Sequence, residues 1–203
     1  ASYKRAITLQ PKSAEIHYNL GVTLRAQAKL AEAEASYRQA ILLKPDFAEA
    51  HFNLGVTLQD LGKFEETEAS YRKAIALKSD YAEAHSGLSL VLQELGRLEE
   101  AEAICKQAIA LKPYLAKPYV QLGNTLKELG RLDEAELSYN RSIALEPDLS
   151  VAHGNLGNTL RELGRLDEAL ASYTQAIALK PDYADAHSNL GGTFKELGRL
   201  EEA

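Results

Sequence analysis

Between residues 48 and 81 the apolar positions follow a helical period twice in succession. Leu54 and Leu58 mark an apolar stripe in the stretch from Ala48 to Leu61, which Gly62 stops. Thr67, Tyr71 and Ala74 share one face of a second predicted helix, Phe64 to Leu77, and Ser79-Asp80 forms its exit turn. The same order returns every 34 residues. Gly21, Gly55, Gly123, Gly157 and Gly191 keep this step, with Ser89 in the remaining slot. So do His17, His51, His85, His153 and His187, and Pro11, Pro45, Pro113, Pro147 and Pro181. A period of this length implies a helix pair whose apolar face is covered only by its neighbours.

The register predicts full repeats at 14–47, 48–81, 82–115, 116–149 and 150–183. Residues 1–13 read as the tail of one more unit and 184–203 as the start of another, so 1–203 is predicted to be a single array. The second helix of the partial leading unit is expected at Ala1 to Leu9, and a further one begins before Ala203.

The turns have mechanical reasons. Asp46 with Glu49, and Asp80 with Glu83, have the spacing of a side-chain cap answered three residues later. Gly62, Gly96, Gly130, Gly164 and Gly198 stand where a first helix must end at positive φ, each followed by Lys or Arg. Ala28 fills that slot in the first full repeat, so a less well determined turn is expected there. The glycines at 21 and its equivalents lie inside a helix, where glycine costs about 1 kcal/mol against alanine. Close approach of a neighbouring helix is their predicted reason.

In the fifth repeat this pattern reads His153, Leu156-Gly157, Leu160, Ala169, Tyr173, Ala176 and Pro181, which resembles the tetratricopeptide repeat family across essentially the whole chain. Local departures are Thr67 and Ser142 at alanine slots, Cys105 at the aromatic slot and Ser79 at the proline slot. The resemblance implies an all-α, right-handed superhelical solenoid of stacked helix-turn-helix units that binds protein or peptide in a concave groove lined by first helices.

Composition narrows the function classes. Net charge is -6 and no Lys or Arg run exceeds two, which argues against a nucleic-acid partner. No stretch approaches the roughly 20 apolar residues of a membrane span, so no membrane partner is expected. Cys105 is the only cysteine, so no intrachain disulfide can form; a lone thiol suits a reducing, cytoplasmic setting.

Catalytic chemistry is not visible. The five histidines occupy one repeat position, on helices roughly 10 Å apart, whereas zinc needs ligands near 2 Å. They read as packing and hydrogen-bonding residues. Cys105 shares its slot with Tyr37, Tyr71, Tyr139 and Tyr173 and reads as a small buried hydrophobe. Glu99-Glu100 and Glu201-Glu202 open second helices, where acidic groups favour the helix N-terminus. No enzyme, cofactor or metal site is predicted.

Specificity is expected on the first-helix face. One row runs Asn19, Asn53, Gly87, Gln121, Asn155 and Asn189; Gly87 breaks it and Gln121 matches in part, while the Asn amides can pair with a peptide backbone of any sequence. A second row places Asn124 and Asn158 where the first half has Val22, Val56 and Leu90, and Tyr18 and Phe52 line the N-terminal part. The expected groove is thus apolar at its N-terminal end and amide-rich at its C-terminal end, with Lys127 and Arg161 adding charge beside Glu128 and Glu162. An extended segment would be held by backbone contacts, with an apolar side chain anchored near Phe52.

The asparagine row is similar to the ladder in the repeat array of O-linked N-acetylglucosamine transferases. That similarity implies a second expectation, a substrate-recruiting array whose catalytic domain lies elsewhere. Open repeat ends raise a third, end-to-end self-association into a homo-oligomer.

Overall fold

The computed structural model describes residues 12–198 and, among them, consists of helices and turns. The predicted helices at 1–9 and beyond Gly198, Pro11, and the open ends invoked for self-association lie outside the described residues. Eleven helices follow in order: α1 Ala14–Ala26, α2 Leu30–Leu43, α3 Ala48–Asp60, α4 Phe64–Leu77, α5 Ala82–Glu94, α6 Leu98–Leu111, α7 Ala116–Glu128, α8 Leu132–Leu145, α9 Ser150–Glu162, α10 Leu166–Leu179 and α11 Ala184–Glu196. The chain packs as two compact units, Ala1–Ile104 and Cys105–Ala203. Within each, a first helix packs against the second helix of its own pair, and that second helix against the next first helix.

The predicted glycine stops are present as a recurring C-terminal lock. Gly62, Gly96, Gly130, Gly164 and Gly198 all have φ between 71° and 75°. At Gly62 the next amide, that of Lys63, donates to the Leu58 carbonyl at 2.9 Å, closing the first helix in a Schellman arrangement. Ala28 takes the same conformation, with φ at 58°, and Lys29 N donates to Leu24 O at 2.9 Å. That turn is as well formed as the others, at the strain a Cβ brings to left-handed backbone.

The expected Asp caps are not made. α3 and α5 start from Phe47 and Tyr81, neither of which has a side-chain cap hydrogen bond. The reason is the preceding turn: Phe47 N donates to Lys44 O and Tyr81 N to Lys78 O, so each Asp is held inside a four-residue turn, one residue too early to cap. Ser13 does cap α1, accepting from Ile16 N at 3.4 Å.

The core of each unit is built on tyrosines. Tyr37, Tyr71, Tyr139 and Tyr173 are fully or almost fully buried, each burial stabilising by roughly 1.5–3 kcal/mol. They explain the helical glycines. A Cβ on Gly21, Gly55, Gly123 or Gly157 would lie 2.6–2.7 Å from the nearest ring carbon of Tyr37, Tyr71, Tyr139 or Tyr173. Cys105 is buried in the second unit's core with Val120, Leu122 and Leu126.

The histidines close the turns between repeats. Nε2 of His51, His153 and His187 lies 2.9–3.0 Å from the carbonyl oxygen of Pro45, Pro147 and Pro181, and Tyr119, in the same register, donates its hydroxyl to Pro113 O. Where Ser79 replaces proline, His85 turns instead to Tyr81 O through Nδ1, at 3.0 Å.

Candidate functional site

The first helices of each unit carry the predicted site residues, and a threonine follows five of the row positions by four residues. Thr57 on α3 donates its hydroxyl to the Asn53 carbonyl four residues back, Thr159 on α9 to Asn155 O and Thr193 on α11 to Asn189 O. Thr23 does the same to Asn19 O and Thr125 to Gln121 O.

In the second unit the asparagine side chains meet amide to amide. Asn155 Nδ2 donates to Asn124 Oδ1 at 2.8 Å and Asn189 Nδ2 to Asn158 Oδ1 at 2.9 Å. The same two oxygens accept the phenol hydroxyls of Tyr139 and Tyr173, both at 2.7 Å. Each Tyr–Asn–Asn triad therefore joins a second helix to two successive first helices. Both oxygen lone pairs are thus engaged, and among the described residues the amide N–H groups of Asn124 and Asn158 have no partner. Burial raises the Tyr139 and Tyr173 phenols above their ordinary pKa, so both remain protonated donors.

The predicted cations are paired across repeats. Lys127 meets Glu162 at 3.1 Å and Arg161 meets Glu196 at 3.3 Å, with Arg161 also 3.4 Å from Asn189 Oδ1. The groups that were expected to give mixed charge thus largely neutralise one another along the face. Gln121 lies differently from the other amides of its row: it is only 3% exposed.

In the first unit the rows are aromatic and aliphatic. Tyr18 packs its ring 4.9 Å from Phe47 and 5.9 Å from Tyr37, and its hydroxyl accepts from Asn53 Nδ2 at 2.9 Å. Phe52 lies 4.9 Å from Tyr81 and 5.8 Å from Tyr71, so its ring is already engaged within the chain. Val56 packs against the Tyr71 cluster, Leu90 is half-buried, and Asn19 and Val22 are exposed. The asparagine row breaks at Gly87 for a steric reason: a Cβ there would stand 2.7 Å from the Tyr71 ring. Lys44, Lys78 and Lys180 sit over the rings of Phe47, Tyr81 and Tyr183, the residues from which the first helices start.

The structure therefore brings together Asn124 with Asn155, Asn158 with Asn189 and Arg161, and Tyr18 with Asn53. It leaves Asn19 and Leu90 apart from these groups. Sequence reading missed the tyrosine hydroxyls, which looked like plain core. Their signal was the constant 15-residue spacing from Asn124 to Tyr139 and from Asn158 to Tyr173.

Among the described residues no helix is long and apolar enough to cross a membrane. Comparison with known proteins agrees with the packing. A TPR repeat profile matches residues 1–27, 23–62 and 157–198, and two tetratricopeptide repeat profiles match 46–113, 80–146 and 138–171. No curated protein matches the chain. Among solved structures, the chain is similar to YrrB, described as a TPR protein with an unusual peptide-binding site, at 23% identity, covering 93% of this chain and 97% of that one with a TM-score of 0.73. A thermophilic TPR protein of Thermus thermophilus is 26% identical over 90% of this chain and all of its own, with a TM-score of 0.71. The pilF protein of Pseudomonas aeruginosa is 20% identical over 94% and 86%, with a TM-score of 0.82. With the repeated helix pairs and the Gly–Tyr packing between them, these matches establish that the chain belongs to the tetratricopeptide repeat family.

Proposed function

We propose that the chain is a protein-interaction scaffold, not a catalyst, and that it holds an extended segment of a partner against its first helices through the amides of Asn124 and Asn158. The observation that carries this reading is the pair of triads. Tyr139 with Asn155, and Tyr173 with Asn189, saturate the two Oδ1 atoms and leave the two Nδ2 groups, one repeat apart, as the donors. Neighbouring helices are spaced by about 10 Å. A polyproline-like segment returns a carbonyl to the same face every three residues, at about 3.1 Å each. The two periods are close enough for successive amides to meet successive carbonyls, independent of side-chain sequence.

In this reading Asn155 and Asn189 are positioning residues. The narrower resemblance to a glycosyltransferase array rests on Asn19, Asn53, Asn155 and Asn189; the last three already donate within the chain, so the weight shifts to the second row. Peptides selected from a random extended library on the folded chain provide the ligand for a test. Calorimetry of the tightest one should show a tenfold or greater loss for Asn124→Ala combined with Asn158→Ala, about 1.4 kcal/mol or more. An unchanged affinity in that double variant would sink the proposal.

A further inference from the structure

The hydroxyl of Tyr37 is buried and, among the described residues, has no hydrogen-bond partner. Every other tyrosine of its register meets an amide of its own helix pair. Tyr139 and Tyr173 donate to Asn124 and Asn158, fifteen residues back, and Tyr71 donates to Gln59 Oε1, twelve residues back, at 2.9 Å. In the first pair those two slots hold Val22 and Arg25. Valine has no acceptor, and a guanidinium carries only donors. The repeat is therefore one carboxamide short, and a buried donor without an acceptor holds back folding free energy until one arrives.

A cavity of about 340 Å³ opens beside it between α1 and α3, lined by Val22, Arg25, Ala26, Tyr37, Asn53 and Asp60. Asn53 spends both amide hydrogens, on the Tyr18 hydroxyl and the Glu49 carbonyl, so its Oδ1 is the group left to accept. Arg25 and Asp60 neutralise each other at 3.1 Å. The cavity thus offers one buried O–H donor, one carbonyl acceptor and a balanced charge pair. That set complements a neutral group with one acceptor and one donor, and disfavours a lone carboxylate or ammonium.

We propose that this cavity takes a primary carboxamide, the side chain of an Asn or Gln on a bound peptide. Its oxygen accepts from Tyr37, and its NH2 donates to Asn53 Oδ1. Val22, 42% exposed, turns aside to admit it. The inference rests on the peptide-binding reading only for the source of the carboxamide.

The test is a titration of N-acetyl-glutamine N-methylamide into the isotope-labelled full chain, followed by amide chemical shifts. The glutamate and norleucine counterparts serve as controls. The glutamine probe should saturate shifts at Val22 and Asn53 with at least tenfold tighter binding than either control. Tyr37→Phe should weaken it tenfold or more. Val22→Asn, which by register supplies the missing amide, should abolish the shifts and raise Tm. Equal binding of the three probes, an unaffected Tyr37→Phe, or no shift at Val22 and Asn53 up to the solubility limit would overturn the proposal. Because the probe has no extended backbone, its result is independent of whether Asn124 and Asn158 hold a peptide.

Discussion

Nε2 of His51 lies 3.0 Å from the carbonyl oxygen of Pro45, and this bond ties the start of one repeat to the turn that ends the last. His153 and His187 repeat it with Pro147 and Pro181. The two registers that recur in the sequence are thus one device: proline fixes the turn backbone, and its carbonyl is held by the imidazole six residues on.

The turn at Ser79 lacks that proline but keeps its geometry. Lys78 has φ -141° and ψ 90°, and Lys44, which does precede a proline, has φ -141° and ψ 88°. Ser79→Pro should therefore fit without strain and reduce the freedom of the unfolded chain. A gain of about 0.4–1 kcal/mol is expected in chemical denaturation. A loss of stability would show that the turn there differs from its counterparts.

Ser142 stands at a slot that holds alanine in other repeats, and among the described residues its buried hydroxyl has no partner. Ser142→Ala should stabilise the fold by about 1 kcal/mol, since it deletes an unpaired polar group. Thr67, at the same kind of slot, donates to Lys63 O at 2.8 Å. Thr67→Ala should bring no such gain, and denaturation midpoints of the two variants measured side by side decide the point.

Gly157 and Gly192 separate the two roles of a helical glycine. A Cβ on Gly157 would lie 2.6 Å from the Tyr173 ring, whereas one on Gly192 meets nothing within 4 Å among the described residues. Gly157→Ala should destabilise by about 1–3 kcal/mol through overpacking. Gly192→Ala should stabilise by about 0.5–1 kcal/mol through helix propensity. Thermal unfolding that ranks the pair the other way would contradict the packing described here.

Acid should weaken the fold in two stages. Burial and, secondarily, the Lys73 charge hold the His51 pKa below 6.5, although the Pro45 carbonyl opposes them. Its contribution is complete above about pH 6.5 and fades as pH falls through the lower folded value. Glu100, Glu134 and Glu168 are held below the usual carboxylate range chiefly by hydrogen bonds from Arg97, Arg131 and Arg165. Their contribution is present above about pH 4.5 and lost below it. Denaturation at stepped pH should show the first loss vanish in His51→Gln and the second shrink in high salt, because these carboxylates are exposed.

Much of this was legible in the sequence because each repeat solves the same packing problem. The bounds of α4, the positive φ after each first helix and the close approach at Gly157 all follow from residue type and spacing. The Asp46 and Asp80 caps misled, since capping spacing does not reveal that a Lys-to-Phe or Lys-to-Tyr turn already holds the aspartate. On the candidate face, the residue types were readable but their mutual commitments were not. Whether Asn124 points its oxygen or its nitrogen outward depends on Tyr139 and Asn155, which lie 15 and 31 residues away.

Cys105, the only thiol in the chain, is completely shielded in the core of its unit. A thiol-specific reagent can reach it only when that packing opens, since reaction needs an exposed thiolate. The native chain therefore carries its own clock. Labelling rates under folding conditions, with and without a bound partner, read how often the packing around Cys105 on α6 opens.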